Sequence, residues 1–480
     1  MEETRKLARF ASDLTYEDLP GKVIHKTKQL VLDQLGCQIA GSALPWTRQA
    51  YDFAVEYRNV KEESTIVNHG FKTSVQDAAF VNGSFGHGFL GDDADSVCFA
   101  HFGSIIIPAA LAMGERERIS GKQFIRAVVL GYEVASRIGA AGLGAMIRGF
   151  HPGPVFGPFG AAVAAGAVLD FTEDEFLQAL AVAGSFSSGL MEYSISGGTV
   201  NRLHSGMAAQ NGVRAALLAN KGVTGPKTIL EGERGVLRAF SGDCSLNELT
   251  RGLGEGFRVL LIELKNHCCC GSSSAVFDAV SKIQSEHKIP SEEVEKIVVD
   301  LSPDTFKLTG AIIEPKDITS AQFSARFGTA LGMIKGRNSL KEYCEENLKD
   351  PDILALARKT ELILDEVMYK RPGTNNPAKV TIKQKNGAVH SQAVNAAKGS
   401  ILNPMTGEEV RQKFRDFASG VLFPEKASGI INTVADLDSI EDVTELVKLL
   451  VADGNSAKNE GLEHGGSSQI DARKMKVQKT

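Results

Sequence analysis

Four segments of this chain gather side chains able to move protons or grip an anion. In the first, His87 precedes Asp92, Asp93 and Asp95, with Leu90 and Ala94 interspersed and His101 shortly after. Carboxylates beside imidazoles can perform acid–base work or hold a cation, although a solvated loop with helix-capping acids would look similar. In the second, Arg148 to Gly160 contains three prolines and four glycines around His151. An irregular backbone directly before an Ala-rich helix leaves free N–H groups at the helix start, suited to an anionic group. In the third, Asn201, Arg202 and His204 precede a helix expected from Met207 to Ala219. Arg202 offers a fork that matches a carboxylate, and His204 a donor beside it. The fourth runs from Lys265 through His267 and Cys268-Cys269-Cys270 to Ser274. Three adjacent thiols cannot converge on one ion, so no metal is expected there, and Cys270 is the candidate site residue.

What is missing narrows the chemistry. No Gly-x-Gly-x-x-Gly follows a strand, and there is no P-loop and no Gly-x-Ser-x-Gly elbow. Nucleotide-dependent and serine-hydrolase readings lose their usual support. Asp92, Asp93 and Asp95 share acidity with the Mg²⁺–diphosphate clusters of helical terpene synthases, but no second such motif follows.

The elements that must position these residues divide into two kinds. Up to about residue 260 the pattern is helical, with Ala/Gly faces such as Gly160–Leu169 that allow close helix approach. Ser120 with Gln123 and Thr172 with Glu175 have capping-box spacing. After about residue 265, Lys296–Leu301 alternates like a strand, and Asn386-Gly387 lies between two alternating runs as in a hairpin. Two helices, about 319–335 and 352–365, fall between them, and helices return at 407–421 and 436–451. The expected fold is mainly α: a large, discontinuous all-helical domain (1–266 and 404–452) carrying a smaller inserted α+β lid domain (267–403). A polar tail at 453–480 is expected to be disordered, and the site should lie in the cleft between domain and lid.

Composition fits a soluble enzyme. With 53 Lys+Arg against 58 Asp+Glu the formal net charge is −5, so no basic field exists for nucleic acid or an anionic membrane. The charged N-terminus shows no secretory signal, and seven cysteines do not make a disulfide framework. A cytoplasmic location is expected. Glycine is abundant, at 49 residues against a single tryptophan, in Ala-rich stretches rather than in linkers.

Taken in order, His87-x(4)-Asp92-Asp93, His101, Phe150-His151-Pro152, Arg202-Leu203-His204-x-Gly206, Cys269-Cys270-Gly271 and Asp317-x(3)-Ala321-Gln322-Phe323-Ser324 resemble the MmgE/PrpD family. Leu32-Asp33-x-Leu35-Gly36 and Leu348-x-Asp350-Pro351 extend the resemblance over roughly residues 5–450. It implies a helical domain with an α+β lid, commonly a homodimer, and cofactor-independent lyases or epimerases of small polycarboxylates. His101 and His151 match family active-site histidines. Arg202, His204 and Cys270 match substrate-side segments, as do Asp92 and Asp93 beside them. The chain departs where the family has an aspartate (Leu90), a threonine (Ala94), a lysine (Asn201) and a histidine (Ser274). These departures imply a substrate with fewer carboxylates or an alkyl chain. The expected activity is a lyase, a dehydratase ahead of a decarboxylase. An isomerase or epimerase on the same scaffold is one alternative, and a ligand-binding relative without catalysis is the other.

Overall fold

The computed structural model describes residues 2–57, 61–196, 198–368 and 376–452. The tail at 453–480 lies outside the described residues. The helices that frame the site are α1 (Gly21–Ser42), α2 (Val75–Gly86), α3 (Gly103–Glu117), α4 (Gly121–Ala141), α5 (Pro152–Val168) and α6 (Asn201–Asn220). The capping boxes of Ser120 with Gln123 and Thr172 with Glu175 both form, each satisfying otherwise orphaned N–H groups at a helix start.

Close approach of small residues explains the glycine content. A Cβ on Gly206 would lie 2.1 Å from the carbonyl oxygen of Phe80, so α6 crosses α2 backbone against side-chain-free backbone. At the crossing of α4 and α5, Gly131 and Gly160 each face the other's carbonyl, at 3.0 and 2.7 Å from the added Cβ. Gly206→Ala is therefore expected to destabilise the fold by about 3 kcal/mol, as overpacking of a tight contact does. The shift in urea midpoint would measure it, and an unchanged midpoint would show that the crossing can relax.

One hydrophobic core runs through these helices and is completed by the C-terminal returns, including α11 (Gly407–Ala418). A second core belongs to the α+β part expected to form the lid, and it takes in Phe89 and Phe417 of the helical part. The lid carries α7 (Ser274–His287), β1 (Val294–Leu301), α8 (Ile318–Gln322), α9 (Ala325–Lys335), α10 (Pro351–Arg358), β2 (Thr360–Leu364), β3 (Ala378–Gln384) and β4 (Val389–Val394). Its sheet has the order β2-β1-β3-β4, with β1 and β2 parallel and the other pairs antiparallel. The fold is mainly α, with a small α+β part.

Several boundaries differ from the sequence pattern. The stretch read as one helix over 352–365 is α10 followed by β2, because Thr360–Leu364 pairs along β1. The helix expected over 319–335 breaks at Phe323-Ser324, where the Ser324 hydroxyl accepts from the Phe327 N–H and caps a new start. The 436–451 segment is a short 3₁₀ turn and a helix over Thr444–Leu449 only.

The Pro/Gly segment around His151 is not an irregular loop as far as Gly160: α5 begins at Pro152. Pro152 and Pro154 fall in the first turn, where a missing N–H costs nothing. Pro158 does remove a helical donor, and the freed Pro154 carbonyl accepts from the Ser188 N–H instead. Likewise α6 starts at Asn201 rather than Met207, which places Arg202 and His204 inside its first turns. Among the described residues no helix is long and apolar enough to cross a membrane. All seven cysteines are unpaired.

Candidate active site

Four imidazoles come together where α2, α5 and α6 end or begin near the lid. His87 is the residue after α2, and its ring centroid lies 5.1 Å from that of His101 and 6.1 Å from that of His151. His151, at the cap of α5, is 5.2 Å from His204, and Tyr193 stands 5.7 and 5.6 Å from these two. His87 Nδ1 lies 2.7 Å from Asp92 Oδ2. His101 Nδ1 lies 2.5 Å from the backbone carbonyl oxygen of Asp93. A carbonyl only accepts, so His101 carries its proton on Nδ1 and presents a bare Nε2. His151 Nδ1 and His204 Nδ1 are 3.0 Å apart, so one donates and the other accepts. That pair therefore offers one basic Nε2 and one Nε2–H.

Burial decides the charges. Desolvation pushes His101 down to about 3, with the Lys265 ammonium adding to the effect. It likewise holds His151 well below the usual imidazole range, with His87, His204 and His101 contributing, and takes His204 to about 4. Desolvation would raise Asp92, but the hydrogen bond with His87 and the nearby Lys265 ammonium outweigh it and keep Asp92 well below the usual carboxylate range. Asp93 goes the other way, to about 7: burial and neighbouring Asp92 dominate over hydrogen bonds from Tyr132 at 2.7 Å and the Gly103 N–H at 3.1 Å.

These shifts fix a sign. His101, His151 and His204 take up protons on unfolding below their unfolded pKa of ~6.5, so their contribution to stability is lost as pH falls through that value. Asp93, raised in the fold, opposes this by contributing stability that is lost as pH rises towards about 7. Near pH 6 the balance is an uptake of about one to two protons on unfolding. The melting temperature is expected to fall between pH 7 and pH 5.5; a flat or rising profile would contradict neutral buried imidazoles.

Two buried cations face this cluster. Arg202 donates through Nη2 to Thr319 Oγ1 and Gln322 Oε1 of the lid, both at 2.9 Å, while its Nη1 is buried without a hydrogen-bond partner among the described residues. Half of the fork expected to face a carboxylate is thus committed to the lid, and Nη1 is the free donor. Desolvation lowers Arg202 to about 10, which leaves it cationic at neutral pH. Lys265 Nζ sits 3.7 Å from Asp92 Oδ1 and is buried. Asn201 adds no cation, but Lys265 supplies one from the domain junction.

The remaining candidates divide. Leu90 is buried, and its carbonyl accepts from Lys265 Nζ at 3.1 Å. Ala94 sits in a two-residue pairing with Glu263 and lines a cavity of about 30 Å³ together with Lys265, Gly271 and Ser274. Cys270 is half-buried, with Sγ 3.2 Å from Ser272 Oγ, and its thiol is near enough to Tyr193 to affect that phenol. Asn201 is buried, and its Oδ1 has no hydrogen-bond partner among the described residues. His267 is engaged with Asp278 at 2.9 Å on the lid side, away from this cluster's bonds. Tyr193 is the cluster member that lies in none of the sequence motifs. His87 and Lys265 lie within candidate segments and Gln322 within the Asp317–Ser324 motif, whereas Tyr193 carries no signal in the sequence.

Comparison with known proteins agrees with this architecture. The MmgE/PrpD N-terminal domain matches residues 5–249 and the MmgE/PrpD C-terminal domain residues 267–439. The cis-aconitate decarboxylase-like protein oryM of Aspergillus oryzae is 29% identical, covering 93% of this chain and 97% of that protein. The cis-aconitate decarboxylase of Aspergillus terreus is 28% identical over 93% and 95% of the two chains. That of Mus musculus is 24% identical over 98% and 97%. With both domain families matched in order across most of its length, this chain belongs to the MmgE/PrpD family.

Proposed function

We propose that the protein is a cofactor-independent lyase that decarboxylates a small unsaturated polycarboxylate bearing an apolar substituent. The observation that carries this reading is the enclosure of four imidazoles, Asp92 and Asp93 with the buried cations Arg202 and Lys265. Support for decarboxylation comes from relatives named cis-aconitate decarboxylases. Leu90 and Ala94, apolar where the family pattern is polar, support the substituent.

Arg202 Nη1 and Lys265 Nζ hold carboxylates of the substrate in a water-poor cleft, where each ion pair is stronger than in water. In a β,γ-unsaturated acid, loss of CO₂ releases the electron pair of the breaking C–C bond. That pair forms a new double bond while the old π pair captures a proton at its far carbon. His101 Nε2 is the proton carrier. It takes a proton from solvent as the substrate's carboxylates raise its proton affinity on binding, and passes that proton to the far carbon. His151 and His204, sharing one proton between their Nδ1 atoms, orient the second carboxylate and buffer the change. The protein works as a homodimer, for which the exposed Leu143, Ile147 and Leu190 beside the His151 segment offer apolar surface.

A second reading, dehydration, is favoured by the low proton affinity of His101 and His151, since a neutral imidazole is a base able to remove a proton next to a carboxylate. Incubation with cis-aconitate, its alkyl homologues and the corresponding hydroxy acids separates the two by product mass. Release of CO₂ supports the proposal, and loss of water alone replaces it with the second reading. Thermal stabilisation by these acids with no product would sink both and leave a binding protein.

A further inference from the structure

The loop that joins His87 to Asp92 is gripped from three directions. The Phe89 carbonyl accepts from Gln322 Nε2 at 2.6 Å, the Leu90 carbonyl from Lys265 Nζ at 3.1 Å, and the Gly91 carbonyl from Lys413 Nζ at 2.8 Å. These donors come from lid helix α8, from the domain junction and from the returning helix α11, and all three are buried. Between them Leu90 has φ +58°, the left-handed region that a branched side chain disfavours. Such a conformation persists only where its surroundings over-determine it.

Gln322 differs from the two lysines in what else it binds. Its Oε1 accepts from Arg202 Nη2 at 2.9 Å, and its Nε2 also donates to the Cys268 carbonyl at 2.9 Å. One side chain therefore touches Arg202, the Cys268 backbone at the domain junction and the loop that holds His87 against Asp92. Moving the lid away would break these bonds together.

We infer that Gln322 is a positioning residue that latches the lid: closing the lid locks Arg202 and the strained 88–91 loop into one arrangement, and opening it releases both. The inference concerns the site of the proposed lyase but does not depend on its reaction. Amide hydrogen exchange on the full chain tests it without turnover. In the wild type, amides of residues 88–93 and 318–323 should exchange with the same opening equilibrium, because one event exposes both.

Gln322→Ala should speed exchange in both segments about tenfold, the scale of lost hydrogen bonds, while Pro152–Val168 stays unchanged. Gln322→Glu keeps the acceptor for Arg202 but lacks the amide donors, so it should resemble the alanine variant at 88–93. Thr319→Val removes an Arg202 acceptor and no loop contact, and should leave 88–93 within about twofold. Exchange at 88–93 unaffected by Gln322→Ala, or raised equally throughout the chain, would overturn the latch. If neither Gln322 variant folds, unequal opening of the two segments in the wild type overturns it, and equal opening supports it.

Discussion

His101→Asn is expected to lower kcat by about 10²–10⁴-fold while KM changes only a few-fold, the range for losing a group that transfers a proton in the transition state. Asparagine keeps a donor that can reach the Asp93 carbonyl but has nothing at the place of Nε2. The substitution therefore spares the loop contact that orients the ring at 2.5 Å and removes only the proton carrier. The same variant removes a buried imidazole held down to about 3 by desolvation, so its stability should depend less on acidification below pH 6.5 than that of the wild type. Steady-state kinetics on whichever acid is turned over, with melts from pH 5.5 to 7, check both halves. His151→Ala should cost a similar factor. Full turnover in both variants would remove the histidines from the reaction and leave Asp92, Asp93 and the cations to account for it.

Lys413→Met should destabilise the protein by about 3–5 kcal/mol, because it leaves a buried charge without its partner. Lys413 Nζ lies 2.6 Å from Asp33 Oδ1, with both side chains buried, and it also donates to the Gly91 carbonyl. Burial already raises Asp33 despite the lysine, and removing the lysine extends that shift. A carboxyl raised in the fold gives stability that is fully present below its unfolded pKa of ~3.9 and is lost as pH rises through its folded value. The variant should accordingly lose stability on going from acid towards neutral pH more steeply than the wild type. Asp33→Asn combined with Lys413→Met should recover most of the loss. Urea midpoints at several pH values measure this, and a double variant no better than the single one would show that the pair does not act through its charge.

Local chemistry was legible wherever one stretch of chain carries the whole signal. The capping boxes at Ser120 and Thr172 and the Asn386-Gly387 hairpin form as their spacing demands, since each is closed by residues a few positions apart. Proline density misled at His151, where the pattern of a loop is a helix whose one freed carbonyl is met by Ser188, a residue about thirty positions away. Alternation failed at Thr360–Leu364 because a strand beside β1 is specified by its neighbour as much as by its own sequence.

The sequence by itself determined the fold class, the order of the motifs, and hence which histidines, acids and arginine could meet. Only the tertiary structure decided how they are charged and held. Lys265 reaches Asp92 from 173 positions away and brings a buried cation beside it. Desolvation keeps His101, His151 and His204 neutral and raises Asp93, an effect of burial that no motif encodes. Gln322, Lys265 and Lys413 converge on three successive carbonyls although they are remote in sequence. Coulomb and hydrogen-bond energies act over a few ångströms of space, and sequence spacing fixes such distances only within a single turn or strand.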